Sequence, residues 1–156
     1  MNNSHLRIIV ALDRRLILPR HFVAIALFAL SAFIVKADIT FDSASSGTAG
    51  TAATVAWSHV VGDFGPDRML VVGVAAERVS SPFPTGVTYG AQALTKVAGS
   101  SAAQNPGIVG NTNSTELWYL ASPAIGTNTI TVTFATSVAN GMECGAVSLF
   151  GVSQTA

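Results

Sequence analysis

The chain has 156 residues, and its formal net charge of zero combines a basic leader with an acidic remainder. Residues 1–37 carry five basic side chains and one acidic one, a net charge of +4, whereas residues 38–156 carry three basic and seven acidic ones, a net charge of −4. Nucleic acids and anionic membranes are bound through clusters of Lys and Arg, so the acidic remainder excludes both as partners.

The leader has the layout of a secretory signal peptide. A basic stretch precedes an apolar run at residues 22–35, and Val35 and Ala37 place small side chains before Asp38, as a cleavage site requires. A membrane anchor would need about 20 apolar residues, more than this run supplies. We therefore predict a helical, cleavable signal peptide over residues 1–37 and a secreted or cell-surface protein. An uncleaved leader and a start other than Met1 stay open.

Export affects the interpretation of Cys144, the single cysteine of the chain. An oxidising compartment favours disulfides, but one thiol cannot close a bridge within its own chain. Cys144 lies in a strand-like segment, where a lone cysteine behaves as a small hydrophobic residue. We predict burial, with an intermolecular disulfide as the alternative.

Residues 38–156 have the length of one domain, and the distribution of their glycines and prolines is typical of an all-β protein. All 14 glycines and five of the six prolines fall in this part and divide it into short segments. In the segment "TITVTF", Ile130, Val132 and Phe134 alternate with threonines, which predicts a strand with one buried face. Applied along the chain, this pattern predicts about eight strands, at 38–42, 53–61, 68–77, 86–90, 92–98, 115–121, 128–136 and 143–151.

Eight short strands at this spacing predict a single antiparallel β-sandwich, jelly-roll-like in form. Gly90-Ala91 is predicted to close a tight hairpin, and Pro123 and Gly126 to form a second turn. The run "MLVVGV" is apolar at every position, which predicts a central strand that is covered on both sides or lies near a sheet crossing. The predicted loops are 43–52, 78–85 and 99–114, and the last is long enough to be either functional or mobile.

Four segments together resemble a known type of module. They are "DRMLVVGV" (67–74), "VTYGAQALTKV" (87–97), "ELWYLASPAIGTNTITVTF" (116–134) and "GAVSLFGVSQT" (145–155). In order and spacing, roughly residues 54–155 resemble a β-sandwich module that recurs in large secreted bacterial proteins of the surface or adhesin type. The resemblance implies an extracellular, jelly-roll-like domain with no assigned activity and no catalytic residues to transfer. Both a complete one-domain protein and a fragment of a longer one stay open.

The residues give little support to an enzyme. His59 is the only imidazole after the leader, and no Gly-x-Ser-x-Gly elbow occurs, so neither a Ser-His-acid hydrolase nor a zinc site is expected. We predict that His59 lies at a strand end beside solvent. Glu77, Glu116 and Glu143 leave a glycoside hydrolase as a weak third hypothesis, since that chemistry needs two carboxylates.

Calcium is the metal that aspartate carboxylates in this part of the chain would suit, because it takes oxygen ligands. Asp38, Asp42, Asp63 and Asp67 fall in or beside loops that could converge at one end of a sandwich. No spacing motif supports the site, and the "GDFGPD" segment serves turn chemistry equally well. Structural calcium is the only cofactor that the sequence suggests.

Two hypotheses for function lead from these patterns. The first is a non-catalytic structural or adhesive module whose partners are cell-surface or matrix components, polysaccharide included. The alternative is a carbohydrate-binding module in which Trp118, Phe83, Trp57 and Tyr89 stack on sugars. Side chains alternate along a strand, so Glu116 and Trp118 share one face. Core positions are favoured for Trp57, Trp118 and Tyr119.

Overall fold

The structure is a computed structural model that describes residues 38–78, 83–105, 107, 112–138 and 140–154. The predicted signal peptide, residues 1–37, lies outside the described residues, as do parts of the predicted loops 78–85 and 99–114. The described part of the chain is all-β. It holds no helix with the length and apolar character needed to cross a membrane.

Two antiparallel sheets are formed by the strands of the described residues. In chain order the strands are β1 (Thr40–Ala49), β2 (Ala52–Val61), β3 (Met69–Arg78), β4 (Gly86–Tyr89), β5 (Gln92–Ala93), β6 (Thr95–Lys96), β7 (Ala102–Gln104), β8 (Thr112–Ala121), β9 (Gly126–Val138) and β10 (Gly141–Phe150). The six-stranded sheet has the order β1-β10-β3-β8-β6, with β7 also paired to β8, and the four-stranded sheet has the order β2-β9-β4-β5. The predicted β-sandwich is confirmed.

The core lies between the two sheets and follows from the alternation of side chains. On β3, in the middle of the six-stranded sheet, Leu70, Val72 and Val74 point inward, and from the other sheet Ile130 and Val132 meet them. Each fully buried aliphatic side chain of this kind stabilises the fold by about 1.5–3 kcal/mol. The predicted inward face of β9 and the predicted central position of "MLVVGV" are both confirmed.

The predicted hairpin at Gly90-Ala91 is confirmed as well. Tyr89 pairs with Gln92, which leaves a two-residue loop, and Gly90 has a φ of 55° that favours glycine. The strand predicted at 92–98 is instead divided at Leu94, whose buried side chain enters the core. β5 pairs in the four-stranded sheet and β6 in the six-stranded sheet, so the chain changes sheets at this residue.

The predicted loop at 43–52 is wrong, because β1 continues to Ala49. Its sequence is rich in Ser and Gly and shows no apolar alternation, yet β1 pairs with β10 throughout its length. Inward positions of β1 carry Ser43 and Ser45, which hydrogen-bond to β2, and Gly47, which lies under the ring of Trp57. The predicted loop at 99–114 also contains β7 and the beginning of β8.

Gly47 provides a test of how closely β1 and β2 pack. A Cβ atom at this position would lie 2.6 Å from Cε3 of Trp57, whose ring is held by a 2.9 Å hydrogen bond from Nε1 to Ser45 Oγ. Gly47→Ala is therefore expected to lower the free energy of unfolding by about 1–3 kcal/mol, as overpacking does. Denaturant unfolding measures the change.

Gly50→Ala is the matched control, since a Cβ atom there meets nothing within 4 Å. Its effect should stay within about 0.5 kcal/mol. Equal effects of the two substitutions would contradict the packing of Gly47 against Trp57.

Candidate functional site

The outer face of the six-stranded sheet, meaning the side chains that point away from the core, is arranged in five rows across the strands. Residues in register across a sheet lie side by side, so the pairing defines the rows. From one end of the strands to the other, the rows are Phe41-Leu149-Met69-Ala121, Ala44-Val147-Val71-Tyr119-Thr95, Ser46-Gly145-Gly73-Leu117, Thr48-Glu143-Ala75-Thr115-Ala102 and Gly141-Glu77-Asn113-Gln104.

The first two rows are mainly apolar, and Leu117 in the third row adjoins them. Phe41 is 62% exposed, Leu117 46% and Val147 37%. Val71 and Tyr119, between the outer strands, are half-buried. β3 was expected to be covered on both sides or to lie near a sheet crossing, but no described element packs over this face. Its apolar outward residues therefore form a surface.

The last three rows contain a depression that we call the groove. Two hollows of about 690 and 550 Å³ share Thr48, Ala75, Thr115 and Glu143 in their linings, so they form one continuous space. Along the strands the groove extends from residue 73 to residue 77, roughly 13 Å at about 3.3 Å per residue. Its floor is low because Gly73 and Gly145, which lie opposite each other, carry no side chain.

Glu77 and Glu143 lie together in the groove. Glu77 pairs with Gly141, so Glu143 is its diagonal neighbour on the adjacent strand, a separation of about 7–8 Å. Glu116, the third carboxylate of the hydrolase hypothesis, points to the opposite side of the sheet, into the core. The structure therefore brings together two of the three predicted glutamates and separates the third.

Trp118 is buried, 9% exposed, and shares its inward face with Glu116, which is 2% exposed. Glu116 is satisfied by neighbours rather than by water. Trp118 Nε1 donates to its Oε2 at 3.0 Å, Ser101 Oγ donates to its Oε1, and Lys96 Nζ lies 3.5 Å from the same oxygen. This cluster ties the segment that carries Lys96 and Ser101 to β8, and it keeps the indole away from the surface.

The other aromatic residues predicted to bind sugar do not form a platform with Trp118. Tyr89 is buried and donates to Gly126 O at 2.6 Å. Trp57 is half-buried on the inward side of β2, and Phe83, half-buried, lies outside the strands. Three of the four side chains therefore point inward from two different sheets. Tyr119, for which a core position was predicted, instead lies half-buried on the outer face, in the row next to that of Gly73 and Gly145.

The four aspartates predicted to hold calcium have separate roles. Asp42 accepts from Gly62 N at 2.9 Å and from Ser148 Oγ at 2.7 Å, and Asp63 lies 4.0 Å from Arg68 Nη1. Asp67 occupies a turn with a φ of 56°, and Asp38 precedes β1. Among the described residues, no three His, Cys, Asp or Glu side chains are placed to share a metal ion.

His59 is 1% exposed, so its prediction as a solvent-facing residue is wrong. Ser45 Oγ accepts from Trp57 Nε1, so its own proton is available to His59 Nδ1 at 2.7 Å. The other ring nitrogen, Nε2, faces Ser43 Oγ at 3.5 Å. No pattern in the sequence predicted this network, because Ser43 and Ser45 lie in a segment without periodicity.

The network around His59 is not a hydrolytic triad. In a triad the acid binds the second nitrogen of the histidine and orients the ring. Here Asp42 binds Ser148 and a backbone amide, and both ring nitrogens of His59 face serines. The geometry joins β1, β2 and β10, which makes it a structural element of the sandwich.

Burial also changes the titration of His59 and Cys144. Desolvation lowers the pKa of His59 from 6.5, and the nearby Asp42 carboxylate opposes that change. Desolvation raises the pKa of the Cys144 thiol to about 11, against a smaller opposite effect of its hydrogen bond with the Ala75 backbone. Cys144 is buried, as predicted, and its raised pKa disfavours the reactive thiolate.

The sequence drew no attention to the groove, although a signal was present. Gly73 and Gly145 interrupt segments that otherwise read as strands, and glycine inside a strand often marks a close approach of a ligand or another backbone. The significance of the two residues depends on their pairing across β3 and β10, which no local pattern reveals.

Neither the family models nor the curated proteins nor the solved structures compared with this chain give a match. The resemblance to a secreted bacterial module therefore stays a prediction. Function has to be inferred from the outer face of the six-stranded sheet and the groove in it.

The lowered pKa of His59 predicts a loss of stability in mild acid. Below pH 6.5 the unfolded chain binds a proton that the folded protein does not take up until a lower pH, so the free energy of unfolding falls as the pH falls. From about pH 7 to 5.5 the slope should be positive and at most about 1.4 kcal/mol per pH unit, the limit for one proton. Urea unfolding at a series of pH values measures it.

His59→Asn removes the titrating ring, and its slope over the same range should be distinctly flatter. Carboxylates titrate mainly at lower pH, so they contribute little to the difference between the two proteins. Identical slopes would show that His59 is not held neutral by burial.

Proposed function

We propose that this protein is a non-catalytic, secreted adhesive module that holds an extracellular matrix or cell-surface polymer against the outer face of its six-stranded sheet. The four segments that resemble a bacterial surface module and the leader of the signal-peptide type support the extracellular setting. The observation that carries the proposal is the exposed apolar surface of the first two rows and Leu117.

This surface is apolar over several neighbouring residues. Phe41, Val147 and Leu117 are exposed on the same side of one sheet, with Val71 and Tyr119 between them. Contiguous apolar surface of this kind marks interaction sites, because its transfer from water is favourable by about 25 cal/mol per Å². The adjoining groove offers polar groups, so the outer face combines the two kinds of contact that adhesion to a polymer needs.

The faces of the sandwich favour binding more than its edges do. At one edge of the six-stranded sheet, β1 lies against β2, where Ser43 Oγ donates to Val60 O. At the other edge, β6 and β7 have only two and three residues. Short edges are poor templates for adding another strand, so β6 and β7 give less support to self-assembly by strand pairing than the outer face gives to adhesion.

The two other hypotheses have weaker support. Burial of Trp118 and Tyr89 favours the outer face over the predicted aromatic set as the binding surface. For hydrolysis, Glu116 points into the core, so two of the three candidate carboxylates, Glu77 and Glu143, share the groove. Adhesion has in addition the support of the exposed apolar surface beside the groove.

Retention on insoluble polymers tests the proposal. The exported protein should be retained by at least one matrix polymer in a panel of polysaccharides and fibrous proteins, and Phe41→Ser/Val147→Ser should weaken retention at least about tenfold, because about 1.4 kcal/mol of apolar contact is lost. Depletion of protein from the supernatant measures binding, and thermal unfolding verifies the fold of the variant.

Val60→Ser is the matched control, since Val60 is exposed on a strand of the other sheet. It should bind as the unmodified protein does. No retention on any polymer, or equal losses in the control and the double variant, would refute the proposed function.

A further inference from the structure

Gly73 and Gly145 are not explained by the needs of the fold. Neither has a positive φ, since neither is among the described glycines that adopt one. A Cβ atom at Gly145 would meet nothing within 4 Å, and one at Gly73 would lie 3.6 Å from Leu117 Cδ2, an ordinary contact. Glycine inside a strand costs about 0.5–1 kcal/mol relative to alanine. The sheet would accept, and by propensity prefer, larger residues at both positions.

Gly47 shows the contrast within the same sheet. There the ring of Trp57 occupies the space that a Cβ atom would need, so packing explains the glycine. At the floor of the groove no protein atom occupies that space. Glycine inside a strand marks a bulge, a bend, or a place where a ligand or another backbone comes close. Gly73 and Gly145 differ from Gly86, another strand glycine with space for a Cβ atom, because they line a hollow, which favours a ligand.

We infer that the groove over Gly73 and Gly145 is the binding site of an uncharged polysaccharide chain. The inference rests on the proposed adhesive function and names its ligand and site. Because the groove is open and extends about 13 Å along the strands, it suits a stretch of polymer that enters and leaves at its ends.

The groove has the chemistry that sugar hydroxyls need. Its linings include the hydroxyl groups of Ser46, Thr48 and Thr115 and the carboxylate of Glu143, which together offer donors and acceptors to a polyhydroxylated chain. Leu117 projects beside the floor, where it provides apolar surface for the C–H face of a sugar ring. No aromatic stacking platform is required by this arrangement.

Charge and backbone pairing narrow the class of ligand that the groove can bind. Three charged residues line the two hollows, Glu77, Glu116 and Glu143. Glu116 points into the core beside Lys96, whereas Glu143 is exposed in the groove, where its carboxylate disfavours an acidic polysaccharide. An extended peptide gains its affinity from main-chain hydrogen bonds at a sheet edge. The floor of the groove lies on β3 and β10, whose main-chain groups are paired on both sides. A peptide placed there would lack those bonds, whereas a sugar chain bonds through its hydroxyls.

Gly145→Val tests the site, because a Cβ atom there meets nothing within 4 Å, the larger side chain occupies the floor, and valine has a higher strand propensity than glycine. Gly86→Val is the matched control, since Gly86 lies on a strand of the other sheet and a Cβ atom there also meets nothing within 4 Å. Both variants should keep at least the thermal stability of the unmodified protein. Cellulose, xylan and mannan serve as uncharged probes, with alginate gel and collagen fibres for comparison.

The exported protein should be retained by at least one of the uncharged polysaccharides. Gly145→Val should weaken that retention at least about tenfold, and Gly86→Val should leave it unchanged. Undiminished binding of Gly145→Val, or retention on alginate or collagen alone, would overturn the inference. In those cases the adhesive function would survive if Phe41→Ser/Val147→Ser still weakened binding, whereas no retention on any material would refute both.

Discussion

The structure depends on the alternation of side chains along β3, the central strand of the six-stranded sheet. "MLVVGV" carries apolar residues on both of its faces, and only one face can point into a two-layer core. Leu70, Val72 and Val74 meet the four-stranded sheet, which leaves Met69 and Val71 on the outer face. Pairing with β10 and β8 then extends the outward apolar residues into rows. The same strand therefore builds the core and creates a surface that gains from being covered.

The outer face changes character along the strands, and this change connects the fold to the proposed function. Rows of apolar side chains occupy one half, and Gly73 and Gly145 lower the other half into a groove lined by hydroxyl groups and carboxylates. The polar residues of the interior stabilise the fold instead. Glu116, Trp118 and Lys96 satisfy one another on the inward side of β8 and β6, and the His59 network joins β1 to β2. Interior polar groups hold the sandwich together, and the outer face is left for recognition.

Patterns of period two predicted much of the fold, because burial of one sheet face imposes that period directly. Ile130 and Phe134 were placed in the core, and Gly90-Ala91 in its hairpin, from local sequence alone. The continuation of β1 beyond residue 42 was not predicted, because its inward positions carry Ser and Gly, which contact Trp57 and His59 on β2. The groove was not predicted for a similar reason. It forms where Gly73 and Gly145 pair, and these residues lie on strands that are distant in the sequence. Alternation alone left Trp118 ambiguous, because a buried Glu116 is acceptable only with partners that the sequence cannot identify.

The most direct test of the central claim is to map a sugar chain on the protein in solution. Exported protein labelled with ¹⁵N would be titrated with soluble hexasaccharides of cellulose, xylan and mannan, and amide shifts would be followed by NMR. If the outer face is the recognition surface, the largest shifts with at least one of the three will occur at Gly73, Gly145 and Thr115. Shifts concentrated around Gly86 and Thr88 on the other sheet, or none with any of the three, would contradict it.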